Sequence, residues 1–181
     1  MKRPTKTAVV FVSVIIAGSL LAGHMLSVDA TAEFMSADTS PRNIDVGESF
    51  ILSSRGGARA DSNGDKIHAL TKLELHFEVA GKENRRLQLN AFSGHLILNE
   101  TRFAIEDGRG VVGRPTQGRF NGTTVVGFRF NVTDSEGNTG TVVFLGKVVS
   151  AARGKVLRMI GTVHVDGLAY KWRHIGRVRR A

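Results

Sequence analysis

Oxygen-bearing side chains alternate in one short stretch of the sequence, as they do in calcium-binding loops. Asp61, Asn63 and Asp65 stand at every second position. A turn of that spacing can point three side chains at one Ca²⁺ ion, which makes these three the candidate ligands. The EF-hand pattern is incomplete, because Lys66 and Lys72 occupy the positions of its glycine and its bidentate glutamate. The alternative is an ordinary turn rich in Asp and Asn.

Basic side chains are concentrated at the C-terminal end, in a spacing suited to an anionic partner. Residues 147–181 hold nine Lys and Arg against Asp166 alone, whereas residues 33–146 are nearly balanced. Asp166-Gly167 favours a two-residue type I′ turn, and the register that it sets puts four basic side chains on one strand face. These polyanion-binding candidates are Arg158, Lys171, Arg173 and Arg177. A glycan, lipid head group or envelope polymer fits such a face, and a solvated face that serves solubility is the alternative.

Residues for catalysis are not indicated by any motif. The chain has no cysteine, which excludes disulfides and thiolate metal sites. Neither a Gly-x-Ser-x-Gly motif, a phosphate-binding loop nor a dinucleotide fingerprint is present. His164 and His174 fall on opposite faces of the last hairpin, so they cannot share a metal ion. We therefore predict no catalytic residue, and the alternative is an extracytoplasmic enzyme or metal-dependent protein whose site joins residues distant in sequence.

The N-terminal residues have the order of an export segment. Lys2, Arg3 and Lys6 precede an apolar stretch, residues 8–26, and the small residues Ala30 and Ala32 follow it at the spacing that signal peptidase reads. Cleavage after Ala32 is the first expectation. As a helix, residues 8–26 would be about 28 Å long, which also suits an uncleaved membrane anchor. In either case the sequence predicts an extracytoplasmic protein, secreted or anchored on the outer face of the cytoplasmic membrane.

Three Asn-x-Ser/Thr triplets accompany the export segment. They begin at Asn99, Asn121 and Asn131. In an exported protein such triplets are candidate glycosylation sites, and glycans would require them to lie on the surface.

Apolar residues after residue 48 alternate with polar ones, which predicts strands rather than helices. With 21 glycines and short polar connections, the pattern indicates an all-β fold: a single antiparallel meander of about eight strands, forming a barrel or sandwich and preceded by one N-terminal apolar helix. The glycine-rich stretch 108–113 gives no assignment. The predicted strands are 49–54, 73–79, 87–91, 95–98, 102–105, 124–132, 139–147, 155–165 and 168–176.

Two hairpins have a register that the sequence itself predicts. In the first, Phe128 faces Phe144 and Phe130 faces Val142 on the buried side. In the last, Trp172 lies over Gly161 and covers the backbone that the glycine leaves bare.

The predicted organisation has three parts: a signal peptide or uncleaved anchor at 1–32, a linker at 33–47 and a β domain at 48–181. We expect an exported cell-envelope binding or structural module. Its partner would be an anionic envelope component or envelope protein, with the membrane reached through residues 8–26 if they are not cleaved. No nucleic-acid partner is expected outside the cell.

Two turn motifs give the chain a family resemblance. They are Gly108-Arg109-Gly110-Val111-Val112 and the stretch 132–138, Val-Thr-Asp-Ser-Glu-Gly-Asn, which joins two apolar strands. With its export segment, the chain resembles the exported β-domain proteins that are numerous in ammonia-oxidising archaea. The resemblance implies an envelope location and assigns no activity or site residue.

Overall fold

Eight antiparallel strands form one sheet in the computed structural model, which describes residues 44–83, 86–115, 123–151 and 154–181. Each strand pairs with the next along the chain, and β8 pairs with β1 to close a barrel. The predicted all-β meander is confirmed, and ring closure distinguishes the barrel from the sandwich. The predicted N-terminal helix lies outside the described residues. The strands are β1 Ser49–Ser62, β2 Asp65–Glu83, β3 Arg86–Leu98, β4 Thr101–Gly113, β5 Val125–Asp134, β6 Thr139–Ala151, β7 Gly154–Val165 and β8 Leu168–Arg180.

The glycine-rich stretch 108–113 is part of β4, although its composition gave no assignment. The side chains of Phe130 and Phe128 on β5 explain this difference. A Cβ atom placed on Gly108 would lie 2.4 Å from the Cβ of Phe130, and one on Gly110 would lie 2.5 Å from the ring of Phe128. The aromatic side chains therefore occupy the space that the glycines leave, and the strand can continue through residues of low strand propensity.

Strand β3 joins two segments that the sequence analysis treated as separate strands. The pairing with β2 shifts register between His76 and Phe77, because Ser93 and Ala91 are their partners and Phe92 is left unpaired. Gly94, with φ +142°, follows this bulge. The bulge breaks the alternation of apolar residues without ending the strand.

The barrel interior is filled by apolar side chains from all eight strands. Ring contacts cross it from β1 to β8, with centroid separations between 4.0 and 5.8 Å along the series Phe50, Phe77, Phe128, Phe144, Trp172 and His174. Ile44, which the sequence analysis placed in the linker, is also buried in this core. These inward-pointing side chains thus form a packed core, and the exposed groups lie on the outer wall.

Candidate functional site

The last hairpin has the register that the sequence predicted. Arg158 is paired with Ile175, Ile160 with Arg173 and Thr162 with Lys171, while Trp172 lies over Gly161 on the inner side. The four basic candidates, Arg158, Lys171, Arg173 and Arg177, are all exposed and point outward. The turn that sets this register has φ values of +50° at Asp166 and +72° at Gly167, as a type I′ turn requires.

Neighbouring strands extend this face into a larger surface. Barrel closure brings β1 against β8, and β6 and β2 continue the sheet on either side. Directly paired outward residues form three rows across these five strands, which we call the basic wall. Each row is given in the strand order β6, β7, β8, β1, β2. The first row is Lys147, Arg158, Ile175, Arg55 and Lys72. The second row is Leu145, Ile160, Arg173, Gly57 and Leu70, and the third row is Val143, Thr162, Lys171, Arg59 and His68.

The charges of the basic wall are of one sign. Seven residues of the basic wall are Lys or Arg, and all seven are exposed. None of the wall's residues is Asp or Glu. Within the described part of the chain, none of the seven forms a salt bridge. The nearest carboxylate on β2 is that of Glu74, which lies beyond the first row and 3.1 Å from Nε2 of His76.

Several cations of the basic wall are directly opposed, which the sequence analysis did not find. Within the last hairpin the cations are diagonal to one another, but the neighbouring strands pair Lys147 with Arg158, Arg55 with Lys72, and Arg59 with Lys171. A further pair, Arg109 with Arg129, continues the third row beyond Val143. Like charges in such positions destabilise a sheet by roughly 0.2–1 kcal/mol per pair.

The residues missed by sequence reasoning are therefore Arg55, Arg59, Lys72 and Lys147. Arg55, Arg59 and Lys72 come near β8 only through ring closure, which local sequence does not show. Lys147 is paired with Arg158 between the consecutive strands β6 and β7, where the sequence has no Asp-Gly or Asn-Gly pair to predict the register. An open depression of about 620 Å³ lies along the first row. The basic side chains of Arg55, Lys72 and Arg177 line it together with the carboxylate of Glu74, and Leu73, Val156 and Ile175 add apolar surface.

A second group of polar residues lies inside the barrel. Nδ1 of His174 is 2.9 Å from Oγ of Ser54, and Nε2 is hydrogen-bonded to Oγ1 of Thr71. His174 and Thr71 are only 3% and 2% exposed, and burial lowers the pKa of His174 to about 3. The imidazole is therefore neutral, with both nitrogens engaged by hydroxyl groups. These two hydrogen bonds join residues of β1 and β2 to His174 of β8.

The calcium candidates surround the β1–β2 turn. Asp61 is paired with Lys66, and Asp65 with Ser62. Asn63 and Gly64 form the two-residue turn, with φ values of +50° and +94°. Among the described residues, no group of three or more acidic or histidine side chains is arranged to hold a metal ion. Calcium binding by Asp61, Asn63 and Asp65 stays a prediction.

Two of the three glycosylation candidates can be located. Asn99 is exposed in the β3–β4 turn, where its Oδ1 accepts a hydrogen bond of 3.1 Å from the backbone N–H of Leu70. Asn131 is exposed on β5. Asn121 lies outside the described residues. His164 and His174 are on opposite faces, as predicted, because the first is exposed and the second is buried.

Comparisons with known proteins found no match, so the interpretation rests on the residues of this chain. No family model, no curated protein and no solved structure matches the chain. The resemblance to exported archaeal β-domain proteins stays a prediction. In the part of the chain that the structure describes, no helix is long and apolar enough to cross a membrane.

Proposed function

We propose that this protein is an exported cell-envelope binding module that docks an anionic surface or polymer through its basic wall. The observation that carries the proposal is the set of directly opposed cations, Lys147 with Arg158, Arg55 with Lys72, and Arg59 with Lys171. Each pair costs folding stability, and no acidic side chain within the wall offsets it. An anionic partner would remove this repulsion on binding.

Solubility alone accounts poorly for this arrangement. A soluble surface needs net charge, but mixed charges serve that purpose without opposed pairs. Elsewhere on the barrel, basic groups do form salt bridges with acidic ones. Nη2 of Arg180 lies 3.1 Å from Oε2 of Glu48, and Nζ of Lys82 lies 3.7 Å from Oδ1 of Asp45. Because Arg180 and Lys82 belong to β8 and β2, the uncompensated charge is a feature of the rows of the basic wall rather than of whole strands. The N-terminal export pattern supports an envelope location for the partner.

The test is retention of the purified protein on envelope fractions from its source, measured by co-sedimentation over a range of salt concentrations. We expect the wild type to sediment with the envelope at low salt and to be released at high salt. The triple variant Arg158→Gln, Lys171→Gln, Arg173→Gln should remain in the supernatant at all salt concentrations.

The matched control removes the same number of charges outside the basic wall. Lys66→Gln, Lys82→Gln and Arg86→Gln all replace exposed residues, and the combined variant should be retained like the wild type. Equal retention of the two triple variants would overturn the proposal, since net charge rather than the basic wall would then control binding.

A further inference from the structure

Exposed aliphatic side chains stand among the cations of the basic wall. Leu70 is 79% exposed, Ile175 55% and Ile160 51%. Ile175 is paired with Arg158 on one side and Arg55 on the other, and Ile160 is paired with Arg173. Single exposed apolar residues are common on protein surfaces, but these three stand in the same rows as the cations. The wall therefore presents two chemistries at once, cationic and aliphatic.

We infer that the basic wall docks on a bilayer that contains anionic lipids, an inference that rests on the proposed function and specifies its partner. At the head-group boundary of such a bilayer, phosphate groups lie within about one side-chain length of the first methylene groups of the acyl chains. Lys and Arg bind the phosphates while aliphatic side chains enter the interface. A soluble polyanion would use the cations but would leave Ile160 and Ile175 in water.

The shape of the barrel limits which residues reach a flat surface. The five strands of the basic wall span more than half of the circumference of the eight-stranded barrel. A flat membrane surface therefore contacts chiefly the central three, β7, β8 and β1. These carry the cations Arg158, Lys171, Arg173, Arg55 and Arg59 together with Ile160 and Ile175. Neighbouring strands lie about 4.8 Å apart, so this central area is about 10 Å wide. Lys147 and Lys72 flank it, and their long side chains can bend toward the same surface.

The length of the N-terminal region is compatible with this position. Seventeen residues separate Leu26, the end of the predicted apolar segment, from Ile44 at the start of the described domain. At no more than about 3.5 Å per residue, they allow the barrel to lie anywhere within about 60 Å of a membrane that holds an uncleaved segment. The seventeen residues thus allow the barrel to reach the membrane but do not determine which side of it faces the membrane. That orientation would come from the basic wall.

The experiment uses the absence of cysteine from the chain. The full-length variant Ile160→Cys is labelled with an environment-sensitive dye and reconstituted into phosphatidylcholine vesicles with or without phosphatidylglycerol. We expect a blue shift of the emission with phosphatidylglycerol at low salt only. The shift should be lost when Arg158→Gln, Lys171→Gln and Arg173→Gln are added, and reduced by Ile175→Ser.

A control label reports the opposite side of the barrel. Ala104 is exposed on β4, the strand furthest from β8 around the ring, so a dye on Ala104→Cys should show no shift. The absence of a shift at position 160, or an equal shift in both vesicle types, would overturn the inference. If envelope retention still depends on the same three cations, the proposed function stands and its partner is a polymer or a protein. If neither the emission shift nor the cation-dependent envelope retention is observed, both the bilayer inference and the proposed function are overturned.

Discussion

Nδ1 of His174 lies 2.9 Å from Oγ of Ser54, across the pairing of β8 with β1 that closes the barrel. Thr71 of β2 engages the other ring nitrogen. Three strands thus meet at one neutral imidazole, which lies in edge contact with the buried Trp172 at a centroid distance of 4.0 Å. The protonation of His174 is therefore coupled to the stability of the closed ring.

Folding stability should fall as the pH drops below about 6.5. Burial lowers the pKa of His174 from 6.5 to about 3, so in this range the unfolded chain binds a proton that the folded barrel does not. The contribution of the neutral ring is complete above pH 6.5 and is lost progressively down to about pH 3. The loss is at most roughly 1.4 kcal/mol per pH unit, or about 2 kcal/mol between pH 6.5 and 5.

Urea unfolding at pH 7.5 and pH 5.0, followed by the fluorescence of the single tryptophan, Trp172, measures this loss. The variant His174→Gln should be less stable at pH 7.5 and should change less between the two pH values. If wild type and variant lose the same stability, another group controls the acid response.

Gly56→Ala should be strongly destabilising. A Cβ atom at Gly56 would lie 1.9 Å from the backbone oxygen of Arg173 and 2.4 Å from the ring of His174, so β1 and β8 would have to separate. Overpacking of this kind costs about 1–3 kcal/mol or more. The adjacent Gly57→Ala is the control, because its nearest contact would be 3.8 Å away and its side chain points outward. Equal unfolding free energies for the two variants would contradict the close approach of the strands.

The last hairpin should depend on Gly167. Its φ of +72° is unfavourable for a residue with a Cβ atom, so Gly167→Ala should cost about 1–2 kcal/mol in the free energy of unfolding. Asp166→Asn should leave stability nearly unchanged, since Asn-Gly adopts the same turn. Thermal unfolding of both variants makes the comparison, and a neutral Gly167→Ala would show that the turn relaxes to another type.

Sequence periodicity predicted what is local in this fold. The strand face of Arg158 and Arg173, the turn at Asp166-Gly167 and the pairing of Phe128 with Phe144 all depend on residues close along the chain. The strand through Gly108 and Gly110 was missed, because the phenylalanines that cover these glycines come from another strand. Local strand propensity does not include the packing of side chains from another strand against these glycines.

The candidate site shows the same limit. The cations of the last hairpin were found from its register, but Arg55 and Lys72 become their neighbours only when β8 meets β1. The environment of His174 depends on Ser54 and Thr71, which lie 120 and 103 residues away in the sequence. Ring closure is a global property, and a pattern of period two is equally compatible with a sandwich.

Relief of charge repulsion in the basic wall should stabilise the barrel while weakening its docking. Lys147→Glu would place a carboxylate directly opposite Arg158 and turn a like-charged pair into an ion pair. We expect a gain of about 0.5–1 kcal/mol in the free energy of unfolding at low salt, which should disappear at 1 M salt. Lys82→Glu is the control: it removes the partner of Asp45, 3.7 Å away, and should not stabilise the protein. Parallel urea titrations at the two salt concentrations provide the measurement. A Lys147→Glu variant no more stable than the wild type would mean that solvent already screens these pairs, and the proposed function would lose the observation that carries it.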